Sequence, residues 1–379
     1  MPNRIEKLKV LALEGPPYNR GLVHGKTLKE QIHEAVRLWK NELAQEYSME
    51  ADSFIRHFVQ QTDYAPAMKK WAPGLLEEIE GIAGGSGLDF DTVFVFQLAD
   101  EYWVNGEDIT RNKCSSLGFS KDGELPAYVA QNMDLECFRD GFQVVLHIRH
   151  RDLDLESFVL SQAGFIGFNG MNDKAVGICC NTLSQLSHCR DGLPVACIIR
   201  GVLQRQTEDD AVAFLRCVKH ASGQNYVIGG PGKVYDFECS ANTITPYRPE
   251  AGGNAVWHTN HPLVNEDYDA KYRALLKEKE KLVEDQEDTW VRLESLEKRL
   301  TKRSVVRGVN LIKTTLAARD AAKHPVCRRV TKKDWFTFAS TIMMLSATPE
   351  FHVAPGPPDM TPYERLSFTS HPPDSTCAT

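Results

Sequence analysis

Arg111-Asn112-Lys113-Cys114-Ser115-Ser116 marks the point where the texture of this chain changes. Before it, apolar residues recur at three- and four-residue spacing. Leu28, Ile32, Ala35, Val36, Trp39 and Leu43 line one helix face. Leu75, Leu76, Ile79, Ile82 and Ala83 line another, which Pro73 suits as a start and Gly84-Gly85-Ser86-Gly87 as a cap and turn. After it, out to about residue 262, the period is two. Val144, Leu146 and Ile148 alternate with Val145, His147 and Arg149. Phe158-Val159-Leu160, Ala175 to Leu183, Val234 to Phe237 and Thr243 to Tyr247 also read as strands, with Ser240-Ala241-Asn242 as the hairpin turn between the last two. Asp209 to Val218 is helical again. Helices first, then strands with intervening helices, is α+β texture rather than regular βαβ alternation.

Two later segments stand apart. Residues 266–303 are dense in charge, with Lys277-Glu278-Lys279-Glu280-Lys281 and Glu284-Asp285 among scattered leucines. They are expected to form a pair of solvated surface helices with i,i+4 ion pairs. Residues 355–379 are rich in Pro, Ser and Thr, and are expected to form a loose tail.

Composition narrows the function classes. The 379 residues are 42% hydrophobic and 25% charged, enough apolar material for a large core and too much for a disordered chain. A net charge of −7 argues against a nucleic-acid partner. No apolar run approaches the ~20 residues of a membrane helix. Met1 to Lys7 lacks an apolar core, so no signal peptide and a cytoplasmic location are expected. The C-terminal Cys377-Ala378-Thr379 is not a peroxisomal signal of the Ser-Lys-Leu type. Ten cysteines include no CxxC pair, which leaves out a zinc ribbon or thioredoxin motif; most read as small buried hydrophobes.

Some motifs fail on inspection. Gly229-Gly230-Pro231-Gly232-Lys233 is followed by Val234 where a phosphate loop needs Ser or Thr, so it reads as a turn between strands. Gly81 to Gly87 follows no strand, which rules out a dinucleotide fingerprint. His258 and His261, three apart on an extended segment, face opposite sides, and no metal site is expected.

Cys114-Ser115-Ser116 gains meaning from what accompanies it in order. Gly15, Gly21 and Gly25 form a Gly-x5-Gly-x3-Gly pattern near the start. Ala130-Gln131-Asn132-Met133-Asp134, Ala163-Gly164-Phe165-Ile166-Gly167, Gly170-Met171-Asn172 and Asn181-Thr182-Leu183 follow the cysteine. Trp257-His258-Thr259-Asn260-His261 and Cys327-Arg328 come last. From about residue 15 to 345 this ordered set resembles the acyl-coenzyme A:6-aminopenicillanic acid acyltransferase family, the C45 family of self-cleaving Ntn hydrolases.

The resemblance implies a four-layer αββα sandwich, two antiparallel sheets between helical layers. It implies an inactive precursor cut at Lys113-Cys114. Residues 1–113, mainly helical, would become a small subunit, and 114–379 the catalytic large subunit; the two chains would stay associated. Cys114 would be the nucleophile, acting through a thioester. A thiol needs a base, and the freed α-amino group, with an ordinary pKa of about 7.7–8.0, lies in the same residue. Asn260 would be the oxyanion donor, a role that contributes ~2.7–4 kcal/mol. Asp134 would orient the new amino terminus or receive protons from it, and Arg328 would be the cation near Cys114 that supports the thiolate or a substrate carboxylate. Ser115, Ser116, Glu101 and His261 would lie at the cleft. The chain departs from the family in two places. Ala99 stands where penicillin acyltransferases carry Arg, and Lys113 stands where many relatives have Gly, which tolerates strained backbone better.

The expected activity is amide hydrolysis or acyl transfer on a small N-acyl amine or amino acid. No cofactor is expected, although acyl-coenzyme A could serve as donor. The competing expectation is an uncleaved, non-catalytic binding or scaffolding relative.

Overall fold

The computed structural model describes residues 8–103, 113–277, 279–302, 306–331 and 335–370, without the side chains of 279–285. Arg111 and Asn112, Glu278 and the tail beyond Ser370 lie outside the described residues.

The chain opens with a strand, β1 (Lys9–Glu14). Helices follow: α1 (Pro17–Thr27), α2 (Lys29–Glu46), α3 (Ala51–Gln60), α4 (Tyr64–Trp71), α5 (Pro73–Ser86), α6 (Phe90–Phe96) and α7 (Ala99–Trp103). Beyond Cys114 come β2 (Ser115–Phe119), β3 (Ala127–Glu136), β4 (Gln143–His150), β5 (Leu155–Gln162), β6 (Asn169–Asn172) and β7 (Gly177–Thr182). Two helices, α8 (Val195–Val202) and α9 (Glu208–Cys217), precede β8 (Gln224–Gly229), β9 (Val234–Cys239), β10 (Ile244–Pro246) and β11 (Ala255–His258). The last third holds α10 (Ala270–Leu275), α11 (Lys279–Leu300), α12 (Val309–Leu316), β12 (Trp335–Leu345), β13 (Glu350–Ala354) and β14 (Glu364–Ser367).

The strands form two sheets. One runs β1-β4-β5-β6-β7-β8-β9-β10, the other β11-β2-β3-β12-β13-β14. They stack face to face: a Cβ on Gly229 would strike Leu345 and Val129, and one on Gly118 would strike Val234. Helices α1, α8 and α9 pack on strands β1, β7 and β8 of the first sheet, and α2 to α6 pack on α1 and on one another. On the second, Leu117, Phe119, Tyr128, Trp257 and Ile342 pack against Leu293, Leu296 and Leu300 of α11 and Ile312 and Leu316 of α12. The result is the expected αββα sandwich, α+β in class.

The glycines of the opening pattern have a packing reason. Helices α1 and α5 touch backbone to backbone. A Cβ on Gly21 would sit 1.9 Å from the Glu78 carbonyl oxygen, and one on Gly25 2.4 Å from that of Ile82. Gly81 and Gly85 answer from the other side, 2.1 Å from the Tyr18 oxygen and 2.4 Å from that of Leu22. The same helices share a buried ion cluster, in which Glu78 binds Arg20 and, from α8, Arg200. Burial would raise the Glu78 carboxyl, but the two guanidiniums hold it down at about 2.

Several expectations need correction. The mainly helical first segment also carries an unexpected strand, β1, which pairs in parallel with β4 at the edge of the larger sheet. Gly84 and Gly85 lie inside α5; only Gly87, with φ 77°, is the cap. The charged segment is not a solvated pair: α11 buries Gln286, Asp288, Thr289, Arg292, Ser295 and Leu296. The tail is packed as far as Ser370, where β14 pairs with β13 and Phe368 stacks on Phe158. The strand region also extends beyond residue 262, since β12 is the inner neighbour of β3. No described helix is long and apolar enough to cross a membrane.

Candidate active site

Cys114 sits immediately before β2, and the strand period divides its neighbours. Ser115 turns toward α11, where its hydroxyl accepts from Arg292 at 3.0 Å. Ser116 turns between the sheets and donates to Asn181 Oδ1 at 2.5 Å. The Cys114 sulfur lines a small apolar cavity with Met133, Asp134, Leu135, Phe168 and Trp335. Its Sγ lies 3.6 Å from Met133 Sδ and 3.8 Å from the Asp134 carbonyl oxygen. Burial, reinforced by the Asp134 carboxylate and opposed by Arg292, pushes the thiol up to about 12. In the unbroken chain this sulfur is therefore a poor nucleophile without a base.

Asp134 comes from β3, opposite Thr337 of β12. Burial lifts its carboxyl to about 7 against the pull of Arg328, whose Nε is 3.4 Å from Oδ2. Arg328 is held at the end of its loop by two backbone contacts with Thr337, N to Oγ1 and O to N, each 3.0 Å. Its Nη2 reaches Asp288.

Asn260 follows β11. Its backbone N donates to Thr289 Oγ1 at 2.8 Å, and its Nδ2 donates to the Thr182 carbonyl at 3.1 Å. Its Oδ1 accepts from Arg292 Nη2 at 3.1 Å.

Arg292 and Asp288, on α11, join these parts, and the sequence reading missed both. Arg292 is fully buried and uses every arm of its fork. Nε binds Asp288 at 2.7 Å, Nη1 binds the Cys114 carbonyl at 2.5 Å and Ser115 Oγ, and Nη2 binds Asn260. Such planar multidentate holding is a property of arginine that lysine lacks. Asp288 also faces His324 Nδ1 at 3.0 Å and Lys113 Nζ at 3.5 Å. Burial would raise Asp288, but Arg292, Arg328 and Lys113 hold it far below the usual carboxylate range. Burial lowers Lys113 in turn, with Asp288 opposing. A legible signal existed. Asp288, Arg292, Ser295, Leu296 and Leu300 fall on one stripe of a helix, at three- and four-residue spacing, so the charged residues share the phase of the buried leucines.

The structure thus brings Cys114, Asp134, Asn260 and Arg328 together through α11, with Lys113 beside them. It does not bring Glu101 or His261 to the cavity. Glu101, on α7, turns away and accepts from Val195 N at 2.9 Å and Ser222 Oγ at 3.1 Å, fixing the start of α8. Burial and the neighbouring Asp100 raise it to about 8. Its neighbour Asp100 is the acid that lines the cavity, accepting from Thr182 and Gln224. His261 binds Thr289 and stacks on Trp290 at 3.9 Å; burial, with His258 and Arg292, lowers it to about 3. Ser115 and Ser116 are beside Cys114 but face away from the cavity lining. His258 is paired with Glu238 at 2.8 Å between the sheets. Among the described residues no group of three or more His, Cys, Asp or Glu is placed to hold a metal ion.

The cavity volume is about 40 Å³. That is room for a few ordered waters.

A model of the acyl-coenzyme A:6-aminopenicillanic acid acyl-transferase family matches residues 120–354, and the chain belongs to that family. The match covers Asp134, Asn260, Asp288, Arg292 and Arg328 but begins just past Cys114. Protein dcd1A of Dictyostelium discoideum is 26% identical over 230 residues, 52% of this chain and 50% of its own. The chain thus spans about half the length of that curated relative. Two solved structures are similar. A mutant of the conjugated bile acid hydrolase from Clostridium perfringens is 10% identical with a TM-score of 0.40, over 68% of this chain and 93% of that one. Penicillin V acylase from Agrobacterium tumefaciens is 13% identical with a TM-score of 0.43, over 68% and 86%.

Proposed function

We propose that this family member is a self-cleaving amide hydrolase or acyltransferase that uses Cys114, freed as an N-terminal residue, on a small N-acyl compound. The observation that carries the reading is the convergence on Cys114. Its sulfur lines the same cavity as Asp134, 3.8 Å from that residue's backbone carbonyl oxygen, while one guanidinium, that of Arg292, holds both the Cys114 carbonyl and Asn260.

The chemistry follows in two stages. In maturation the Cys114 sulfur adds to the Lys113 carbonyl carbon, and the proton passes to a base, a role this reading gives to Asp134. The C–N bond breaks, the nitrogen takes a proton, and water hydrolyses the resulting thioester. In turnover the new α-amine takes the thiol proton, and the thiolate attacks the substrate carbonyl. Asn260 Nδ2 has a second hydrogen beyond the one on Thr182, and it meets the oxyanion. The amine leaves protonated. Water, or a second amine, then attacks the thioester; acyl-coenzyme A could load the same sulfur. Arg328 and Arg292 steady the negative charges that come and go.

The test is the mass of the purified protein. Cys114→Ala is expected to give one intact, inactive chain, while wild type gives two chains and an acyl adduct on the heavier. Full activity in Cys114→Ala sinks the mechanism. The second reading, an uncleaved binding relative, draws on the ion pair of Lys113 with Asp288 and on the small cavity. It predicts an intact wild-type mass and no adduct with any acyl donor.

A further inference from the structure

We infer that Arg139 is a substrate-recognition residue of this site, and that it selects acyl groups ending in a carboxylate. This rests on the proposed thioester chemistry. Arg139 lies in the one-turn helix that follows β3 and lines the same cavity as Cys114. It is 1% exposed, yet its Nη1 has no hydrogen-bond partner among the described residues. A buried, unsatisfied guanidinium N–H is costly. Evolution rarely leaves one unless something else supplies the acceptor.

The rest of the side chain is fixed. Nε donates to Glu136 at 2.7 Å, and the guanidinium carbon lies 4.9 Å from the centre of the Phe138 ring. These contacts hold the fork in place, so the free Nη1 is a preset donor rather than a floating one. Around it the lining is apolar, with Leu135, Phe165, Phe168, Val195 and Ile199. The other acid in the lining besides Asp134 is Asp100, and its Oδ2 already accepts from Thr182 and Gln224.

The acyl half of the substrate is the one that meets these walls. When the thioester forms, the acyl group is bonded to a sulfur that lines this cavity, whereas the amine departs. A short aliphatic chain would cover the apolar walls and place its far end at Arg139. A carboxylate there gains a charge-assisted bond, whereas a methyl leaves the donor buried and unpaired. Opening of the small cavity on maturation would make the room.

The experiment uses the protein as purified, with glutaryl and pentanoyl p-nitroanilides, which match in chain length. Glutaryl is expected to be favoured at least about tenfold in kcat/KM. Arg139→Met should still mature but bring the ratio close to one. Equal or reversed preference in wild type, or an unchanged ratio in a matured Arg139→Met, overturns the assignment. Calorimetric titration with free glutarate and free pentanoate gives a readout without turnover. Tighter glutarate binding that Arg139→Met removes, in a protein that forms no thioester, overturns the catalytic reading and the acyl selection with it, and upholds Arg139 only as a carboxylate-binding residue. Glutarate binding no tighter than pentanoate overturns this one whatever the activity. Preference for a carboxylate on the amine half alone does the same.

Discussion

At the scale of single residues, the site is built around two groups whose ionisation burial has displaced. The Cys114 thiol is pushed up to about 12 and the Asp134 carboxyl to about 7. Near neutral pH the first therefore holds its proton, and the second is close to losing one. A carboxyl raised to about 7 is protonated below that pH and can accept a proton above it. If Asp134 is the base for maturation, the rate of self-cleavage should rise with pH through about 7. Asp134→Asn should flatten that rise and slow cleavage, as a time course on denaturing gels from pH 5.5 to 8.5 would record. A rise unaffected by Asp134→Asn would move the base elsewhere. His24 is poorly placed to be that base. Its Nε2 already accepts from Gly164 N at 3.0 Å, and burial lowers it to about 4. The role proposed for Asn260 is in turnover. Asn260→Ala is expected to lower kcat by roughly 10²–10³, the usual loss for one oxyanion donor, with little change in melting temperature. A change confined to KM would place Asn260 in ground-state binding instead.

Elements decide how those residues meet, and here the sequence was only partly legible. The periodicities of α2, α5, β4 and β5 stand out because each has one continuous apolar face. The ordered motifs pointed to Cys114, Asp134, Asn260 and Arg328 only as a set, since each motif alone is weak. Helix α11 was misread for a physical reason. A composition of Lys, Glu and Asp looks the same whether the charges meet water or each other, and only the phase of Asp288 and Arg292 against Leu296 and Leu300 tells them apart. Strand β1 was hidden because its six residues directly precede long helices, and the packed part of the tail because Pro and Ser dominate its composition. The role of α11 can be tested with Arg292→Lys, which keeps the charge and loses the fork. It is expected to lower kcat by about 10–100-fold, because one ammonium cannot hold the Cys114 carbonyl, Ser115, Asn260 and Asp288 together. Unchanged kcat would reduce α11 to a cover. The α1–α5 contact allows a cleaner test of packing. Gly81→Ala meets backbone that cannot yield and should destabilise the fold by about 3 kcal/mol or more in urea unfolding. Gly84→Ala meets only the tip of Tyr18, an exposed side chain that can swing aside, and should cost little.

For the whole molecule, the arrangement of layers bears directly on maturation. The break at Lys113-Cys114 would divide the chain into a piece carrying β1 and α1 to α7 and a piece carrying β2 to β14 and α8 to α12. These are not independent bodies. Strand β1 is hydrogen-bonded to β4, and Glu78 of the first piece is bridged to Arg200 of the second. Gln97 of the first binds Gly164 and Ile166 of the second. Each piece alone would expose sheet or helix faces that now form one core. The purified wild-type protein is therefore expected to show two bands on a denaturing gel and one particle on native sizing. The larger band should begin Cys-Ser-Ser-Leu on Edman sequencing. Lys113 would become the carboxyl terminus of the small piece. Its new carboxylate would arise close to Asp288, Arg292 and Arg328, so that one negative charge is added where three cations now face two carboxylates. That near balance holds the end only loosely, so that it can swing clear and let the cavity open. Replacing Lys113 with Gly removes the ion pair to Asp288 and relaxes the backbone at the junction. Lys113→Gly should therefore self-cleave faster than wild type, followed by intact mass over time. Equal rates would mean that the junction is limited by the base and not by the residue before the nucleophile. A wild-type chain that is active yet stays whole would rule out the α-amine of Cys114 as base.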